Sequence, residues 1–316
     1  MPELPEVEVV RSGLEPAVTG ATVASVSVLD SRSLRRHDGP AEDFVARLTG
    51  ARFESAERRG KFLWLPLAGD PAAEASVAHA AVGAHEAVAA HEALAAHEAL
   101  VVHLGMSGQV LLRDRFTDDA LTRIRVELEH PGHGPLRLNF VDQRIFGSMA
   151  IDELRPAADG HGLVPSQVAH IARDPLDEHF DDRLFVARLR KRNTGIKRAL
   201  LDQTLISGIG NIYADEALWA SRIHYDQPTG ALSLPRVKTL LAEVRAVLIK
   251  ALAEGGTSFD AQYVNVNGNS GYFSHSLNAY GQQGKPCPRC GRPIVREQFM
   301  NRGSHFCPFC QRIRVT

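Results

Sequence analysis

The sequence predicts an α+β protein, in which a β-rich N-terminal half led by one helix precedes a helical half and a small metal-binding module. Three observations support this prediction. Apolar and polar residues alternate with a period of two in several segments of 21–151. After residue 182 the apolar residues recur with the helical period of 3.6. All four cysteines lie within the last 30 residues.

The opening segment has the features of a helix start. Pro5 suits a first helical position, and Glu6 and Glu8 would lie near the first turn, where the helix dipole favours acids. Val7 and Val10 follow at a spacing that places them on one face. We therefore expect a helix at the front of the β-rich half.

The β-rich half contains one segment of a different kind, a His/Ala/Glu repeat at 70–99. Histidines recur every six residues, at His79, His85, His91, His97 and His103. Six residues advance a helix by about 240°, so successive histidines would fall on different faces. This favours a low-complexity surface insertion over a metal-binding stripe. His103 itself lies in a strand-like segment.

The second half has helical periodicity, which is clearest over 233–252. The preceding stretch is rich in Pro, Asp and His, which is typical of a connection. The predicted parts are a β-rich domain at 1–152 with the insertion at 70–99, a linker at 153–182, a helical domain at 183–284 that includes a Gly/Asn/Ser-rich loop, and a metal module at 285–316.

Charge is distributed unevenly along a chain whose formal net charge is only −1. Residues 183–198 contain seven basic residues and no acid, and residues 285–316 contain seven basic residues and one acid. Either run alone is typical of a solvated face, but two in one half favour a phosphate-bearing partner. Without a membrane-length apolar run or an apolar signal core, we expect a cytoplasmic protein that does not enter membranes.

The cysteines form two C-x-x-C pairs separated by 16 residues: Cys287, Cys290, Cys307 and Cys310. Two such pairs can complete a tetrahedral thiolate site for one zinc ion. Two disulfides are the alternative, which a reducing cytoplasm disfavours. Because four thiolates leave no open position, the predicted zinc is structural.

A Gly-x-Gly-Asn turn separates two of the helical segments, at Ser207–Asn211. Its glycines permit close backbone approach, and Asn211 is predicted to cap the helix that follows. Free amides at such a turn can bind a phosphate, although any tight corner between helices looks similar.

Several motifs occur together in one order, and they decide the family. They are Pro2–Glu8, Arg59–Lys61, His103–Gly108, Asp142–Gly147, Gly208–Asn211 and the cysteine module. In this respect the chain resembles the formamidopyrimidine-DNA glycosylases over nearly its whole length, apart from about 70–99. The resemblance implies an N-terminal β-sandwich with a leading helix, a helix–two-turn–helix domain and a zinc finger, with DNA bound in the cleft between domains.

The resemblance also implies catalytic roles for Pro2, Glu3, Lys61 and Arg302. Removal of Met1 would expose the secondary amine of Pro2 as the nucleophile, and Glu3 would act as the general acid and base. Lys61 matches the lysine that contacts phosphate and serves in β-elimination. Arg302 matches the zinc-finger arginine that grips phosphates at the lesion. By the residues alone, Pro2 and Glu3 could simply begin a helix.

Six further residues match DNA-contacting positions of the family. Met106, Arg144 and Phe146 would fill the gap left by an extruded base, although Met106 and Phe146 could also belong to a core. The three others would contact backbone phosphates; they are Lys191, Lys197 and Asn211. Residues 257–279 resemble the lid over the extruded base.

The implied function is excision of oxidised purines from double-stranded DNA, by a monomer that acts as glycosylase and AP lyase with one structural zinc. Two alternatives remain open. One is an endonuclease VIII-like enzyme acting on oxidised pyrimidines. The other is a non-catalytic DNA-binding paralogue.

Overall fold

A computed structural model describes residues 2–68, 98–257, 266 and 271–314. The chain divides into two compact units. The first comprises Met1–Pro2, Val7–His170 and Ala261–Asn269; the second comprises Glu3–Glu6, Ile171–Asp260 and Ser270–Thr316. The His/Ala/Glu repeat, apart from its last two predicted residues and His103, and most of the predicted lid lie outside the described residues.

The first unit is built on two antiparallel sheets. Its strands are β1 (Thr22–Val28), β2 (Glu57–Arg59), β3 (Phe62–Pro66), β4 (Glu98–His103), β5 (Gly108–Arg113), β6 (Thr122–His130), β7 (Gly134–Asp142), β8 (Ser148–Pro156) and β9 (Leu163–Pro165). One sheet has the strand order β1-β6-β7-β5 and the other β2-β3-β4-β8-β9. This confirms the predicted β-sandwich.

The core of the first unit draws on both sheets, for example Phe140 from one and Leu100 from the other. Helix α1 (Leu4–Val18) leads the chain as predicted, and its Val10 and Leu14 are buried in this core. Helix α2 (Ala41–Leu48) lies in a stretch for which the sequence predicts only the β-rich half. Its buried face is only Phe44 and Leu48, which is too short a stripe to stand out.

The second unit contains the helical segments and a β-hairpin. Its elements are α3 (Asp182–Arg190), α4 (Ile196–Leu200), α5 (Asn211–Ala220), α6 (Leu234–Ala253), β10 (Val295–Phe299) and β11 (Arg302–Phe306). Helix α4 is shorter than its apolar pattern, which runs to residue 206. The Asp202 carboxylate accepts hydrogen bonds from the Thr204 N–H (3.0 Å) and hydroxyl (2.7 Å), a local turn that competes with helix continuation.

The α+β fold class is thus confirmed, while the predicted domain boundaries stay predictions. Strand β8 continues to Pro156 and pairs with β9, so regular structure enters the stretch assigned to the linker. Within the described ranges, no helix combines the length and apolar character needed to cross a bilayer.

Candidate functional site

The first unit holds Pro2 and Lys61. Pro2 is buried and directly precedes Glu3. Lys61 lies in the two-residue turn between β2 and β3, half-buried, and it has interactions of its own. Gly60, the other turn residue, has φ of 59°, a left-handed conformation that glycine adopts without strain. The glycine of the Arg-Gly-Lys motif therefore sets the turn that carries the lysine.

The same unit presents the three side chains predicted to fill the gap in the duplex. Met106 lies in the turn between β4 and β5, with an exposed fraction of 38%. Arg144 and Phe146 lie between β7 and β8, and both are exposed. Exposed Met and Phe side chains are not core residues, so the alternative reading as core packing is wrong for both.

His103 lies close to Lys61, although sequence reasoning assigned it no role. Its Nδ1 accepts a hydrogen bond from the Gly105 N–H at 3.1 Å. Burial and the positive charges of Arg36, Arg35 and Lys61 lower the pKa of His103 to about 4. The ring is therefore neutral near pH 7, and its Nε2 carries the hydrogen as a donor. The available signal was its position at the head of the His103–Gly108 motif.

We expect His103 to make the protein less stable in acid. A histidine in the unfolded chain has a pKa near 6.5, whereas the pKa of the folded His103 is about 4. Between these two pH values the unfolded chain binds a proton that the folded protein does not. The stabilisation is complete above pH 6.5 and is lost as the pH falls through this window. Wild type should lose on the order of 2 kcal/mol more unfolding free energy between pH 7.5 and 4.5 than His103→Asn.

Urea unfolding at the two pH values measures this difference, and only the change with pH is compared, because the substitution also alters ring packing. The matched control is the exposed His161→Asn, which should follow wild type. An equal pH dependence of wild type and His103→Asn would contradict the lowered pKa.

In the second unit, Glu3 is almost fully buried at the N-terminus of α5. Its carboxylate accepts hydrogen bonds from three backbone N–H groups, those of Gly210 (2.6 Å), Ile212 (2.9 Å) and Tyr213 (3.3 Å). A Cβ on Gly210 would lie 2.3 Å from Glu3 Cδ, so this approach requires glycine. The Gly-x-Gly turn and the first turn of α5 together bind a carboxylate of their own chain, and their amides hold Glu3 in one position.

Glu6 is buried beside Glu3 and serves as a hub of hydrogen bonds. It accepts from the Glu3 N–H (2.8 Å), from the Tyr213 hydroxyl (2.6 Å), and from both the N–H and the hydroxyl of Thr257 (2.8 Å each). Burial and the nearby Glu6 carboxylate raise the pKa of Tyr213 well above its usual value, so the phenol stays a donor. These contacts make Glu6 a structural residue of the second unit.

Asn211 was predicted as the N-cap of α5, and this is wrong. The helix begins at Asn211, and Gly210 occupies the cap position without a side-chain bond. The Glu3 carboxylate supplies the missing acceptor instead. The Asn211 side chain is thereby free of the capping role, and its Nδ2 donates to the Gly303 carbonyl at 3.2 Å.

Lys197 is fully buried, contrary to what a direct phosphate contact would suggest. Its Nζ lies 2.6 Å from Asp215 Oδ1 and donates to the Ser304 hydroxyl at 2.6 Å. Burial lowers the pKa of Lys197, and the Asp215 carboxylate opposes this. A buried lysine needs such a partner. The structure thus corrects the expected surface position, and phosphate binding by Lys197 stays a prediction.

Arg302 begins strand β11 and is exposed at the hairpin turn. The next residue, Gly303, is buried, and its carbonyl accepts from Asn211 and, at 3.4 Å, from Lys197. Arg302 and Arg296 line an open polar cavity of about 310 Å³ on this hairpin. Helices α4 and α5 therefore hold the base of the hairpin while its arginine faces solvent.

The structure gathers Glu3, Lys197, Asn211 and Arg302 in one region of the second unit. Lys191 is separate from this group, exposed at the C-terminal end of α3. Sequence reasoning missed Asp215, whose Oδ2 also accepts from the His305 N–H at 2.8 Å.

The cysteine module has the geometry of a four-thiolate site. The sulfur atoms of Cys287, Cys290, Cys307 and Cys310 all lie within 4.8 Å of one another, and none of them forms a disulfide. A zinc–sulfur distance of about 2.3 Å places tetrahedral ligands about 3.8 Å apart, which fits. The Trp219 indole N–H donates to Cys287 Sγ at 3.4 Å, as outer hydrogen bonds to zinc thiolates do.

Three family models match successive parts of the chain. They are the formamidopyrimidine-DNA glycosylase N-terminal domain at residues 1–149, the formamidopyrimidine-DNA glycosylase H2TH domain at 171–262 and the zinc finger found in FPG and IleRS at 284–313. They define the class: a DNA glycosylase with a helix–two-turn–helix domain and one structural zinc.

Individual relatives agree over the full length. The formamidopyrimidine-DNA glycosylase of Leifsonia xyli subsp. xyli is 61% identical, with 99% of this chain and 100% of the relative covered. That of Thermobifida fusca is 52% identical over 98% and 97%. The chain belongs to the formamidopyrimidine-DNA glycosylase family, whose members are DNA glycosylases with AP lyase activity.

Solved structures show the same fold. A complex of the Lactococcus lactis Fpg with DNA containing an abasic site has a TM-score of 0.76 at 28% identity, and covers 98% of this chain and 99% of that one. Another structure of the Lactococcus lactis Fpg, with the same TM-score, identity and 98% coverage of this chain, contains DNA with an oxidised pyrimidine and is covered over 100% of its length.

Proposed function

We propose that this chain excises oxidised purines, such as 8-oxoguanine and formamidopyrimidines, from double-stranded DNA and then cleaves the strand, with Pro2 as the nucleophile. The observation that carries the proposal is Glu3. Glu3 directly follows Pro2, and its buried carboxylate is fixed by three backbone N–H groups. A formamidopyrimidine-DNA glycosylase relative matches 99% of this chain. Because the substrate is DNA, we expect the protein in the cytoplasm of a bacterium.

The chemistry begins with the free amine of Pro2. An α-amine has a reference pKa of about 8, against about 10.4 for lysine, so a useful fraction is neutral near pH 7. The amine nitrogen forms a bond to C1′, the bond from C1′ to the base breaks, and its electron pair leaves with the base. The N–H proton of the attached amine passes to the Glu3 carboxylate, and Glu3 then gives it to the ring oxygen as the bond from C1′ to that oxygen breaks and the nitrogen lone pair forms the iminium.

The iminium then withdraws electrons from the sugar. A proton leaves C2′ and the 3′-phosphate departs in β-elimination; δ-elimination then removes the 5′-phosphate. Lys61 serves the first elimination and binds phosphate, and the neutral His103 beside it offers an Nε2–H donor to the same anion. Arg302 grips the phosphates from the hairpin.

Recognition of the duplex uses the remaining exposed groups. Met106, Arg144 and Phe146 fill the gap left by the extruded base, and Arg144 hydrogen-bonds the opposite cytosine. Lys191 and Asn211 contact backbone phosphates. One zinc ion bound by Cys287, Cys290, Cys307 and Cys310 stabilises the hairpin that carries Arg302.

A single-turnover cleavage assay tests the substrate class. Wild type should cleave an 8-oxoguanine:C duplex at least about tenfold faster than one with thymine glycol, because Arg144 reads the cytosine opposite a purine lesion. An undamaged duplex is the control.

The opposite preference would support an enzyme for oxidised pyrimidines, a candidate favoured by the oxidised pyrimidine bound to the Lactococcus lactis relative. If DNA is bound but neither lesion is cleaved by protein with Pro2 verified as the first residue, the protein is a non-catalytic paralogue.

A further inference from the structure

Two short loops carry the predicted gap-filling side chains, and their bases are buried. Met106 belongs to the turn at 104–107, and Arg144 and Phe146 belong to the loop at 143–147. Met106 and Phe146 are substantially exposed, whereas Ser107 and Gly147 beside them are buried. The side chains therefore project from loops whose backbones are packed into the unit.

The backbones of the two loops are in direct contact. Gly105 has φ of +63°, and a Cβ there would lie 2.3 Å from the carbonyl carbon of Phe146 and 2.4 Å from the nitrogen of Gly147. A Cβ on Gly147 would in turn lie 2.6 Å from Phe140 Cζ. Gly105 is therefore required for the contact between the two loops, and Gly147 for the packing of the 143–147 loop against Phe140.

The Asp142 carboxylate connects the loops. It is completely buried at the end of β7. Its Oδ1 accepts from the Ser107 hydroxyl at 2.5 Å and from the Arg144 N–H at 3.1 Å, and its Oδ2 accepts from the Gly147 N–H at 2.6 Å. One side chain thus satisfies donors from both loops, which is the arrangement that a buried carboxylate requires.

Arg35 makes a further set of contacts to the loop at 143–147. Its guanidinium donates to the carbonyl of Ile145 at 3.0 Å and also to that of Phe146. Ile145 has φ of 57°, a strained conformation for a β-branched residue. Such strain persists only where surrounding contacts hold it, and these two hydrogen bonds supply such contacts.

We propose that Asp142 is a positioning residue which, with Ser107 and Arg35, locks the two loops into one rigid wedge, so that Met106, Arg144 and Phe146 enter the duplex together. The inference rests on the proposed function. Extruding a base costs a few kcal/mol, which the inserted side chains offset only if they are already ordered. This proposal gives a positioning role to Asp142 of the Asp142–Gly147 motif and to Ser107 of the His103–Gly108 motif.

Ser107→Ala tests the lock, with Ser148→Ala as the matched control. Ser148 is also a buried serine of the first unit, but its hydroxyl has no partner among the described residues. Ser107→Ala should slow single-turnover excision from an 8-oxoguanine:C duplex about tenfold, the effect of one charge-assisted hydrogen bond. Cleavage at a preformed abasic site should stay within about twofold, because no base has to be extruded. Ser148→Ala should match wild type on both substrates.

Arg35 is tested by charge-conserving exchange. Arg35→Lys keeps the positive charge but lacks the planar fork whose two separate nitrogens reach the two carbonyls, so it should slow excision nearly as much as Arg35→Ala does. Arg32→Ala, in the short 3-10 helix (Ser31–Leu34) that directly precedes Arg35, is the control for loss of an exposed arginine. If Arg35→Lys keeps the wild-type rate, Arg35 acts through its charge. The proposed role of its two hydrogen bonds to the 143–147 loop is then wrong.

Equal losses on the two substrates would show general damage and overturn the proposal, as would unchanged excision by Ser107→Ala. Failure of the proposed function is detected separately, since wild type itself would then fail to excise 8-oxoguanine from the first duplex. In that case, 2-aminopurine next to an abasic-site analogue still reports insertion by its fluorescence rise on protein binding. Ser107→Ala should reduce that rise; an equal rise, or none with wild type, overturns the wedge.

Discussion

Protein with extra residues ahead of Pro2 should form no covalent adduct with lesion-containing DNA under borohydride, while still binding that DNA. Only a free secondary amine can attack C1′ and give a reducible iminium. An N-terminal fusion converts that amine into an amide without basicity. Adduct formation and strand cleavage should therefore fall by at least about 10³-fold, as when a nucleophile is removed.

A cleavable fusion provides the control within one preparation. Proteolysis that leaves Pro2 first should restore the adduct. Because Pro2 and Glu3 are buried, DNA affinity and the unfolding midpoint are measured before and after cleavage to detect any disturbance. An adduct formed equally well by the uncut fusion would assign the nucleophile to a lysine, and Lys61→Ala would then identify or exclude that residue.

Local patterns predicted the elements well where a single period dominated. Helix α6 was foreseen because its apolar face repeats over five turns, whereas α2 is too short to show one. The zinc module was evident from ligand spacing alone. The family motifs assigned Met106, Arg144 and Phe146 to the gap in the duplex, and the structure has all three exposed on loops.

The contacts that fix the site could not be foreseen, because they join residues distant in sequence. A lysine assigned to a backbone phosphate is expected at the surface. Lys197 is instead buried against Asp215 and Ser304, the latter 107 residues away. The cap of α5 is not the adjacent Asn211 but Glu3, more than 200 residues earlier. Neither partner leaves a periodic signal, so only the folded chain shows the pairing.

Replacement of one zinc ligand should have the second large effect. Cys307→Ser is expected to release the metal, unfold the β10–β11 hairpin and weaken binding to duplex DNA by about tenfold or more. The reason is the small local core: among the described residues of the module, the buried apolar side chains beside the cysteines are Ile294, Phe299 and Phe306. Structural zinc supplies roughly 10–16 kcal/mol in isolated zinc-finger peptides, more than the roughly 1.5–3 kcal/mol that burial of each such side chain contributes.

Zinc content by mass spectrometry and DNA affinity over a range of salt concentrations measure this loss. The slope of log affinity against log salt should become shallower by about 0.9 for each phosphate that the protein no longer binds. Gln283→Ala, an exposed uncharged position just before the module, is the control and should keep one zinc and the full slope. Full DNA affinity in zinc-free Cys307→Ser would contradict a role of the finger in binding.

Arg302→Ala distinguishes the loss of Arg302 from the loss of the whole hairpin. It removes the phosphate-binding side chain and leaves all four thiolates in place. If zinc acts only by holding Arg302, the two variants should lose the same affinity. A larger loss in Cys307→Ser would mean that other arginines of the module, such as Arg296 in the same cavity, also bind phosphates. Helix α5 should survive in either case, since Lys197 and Asp215 still neutralise each other once the hairpin is gone.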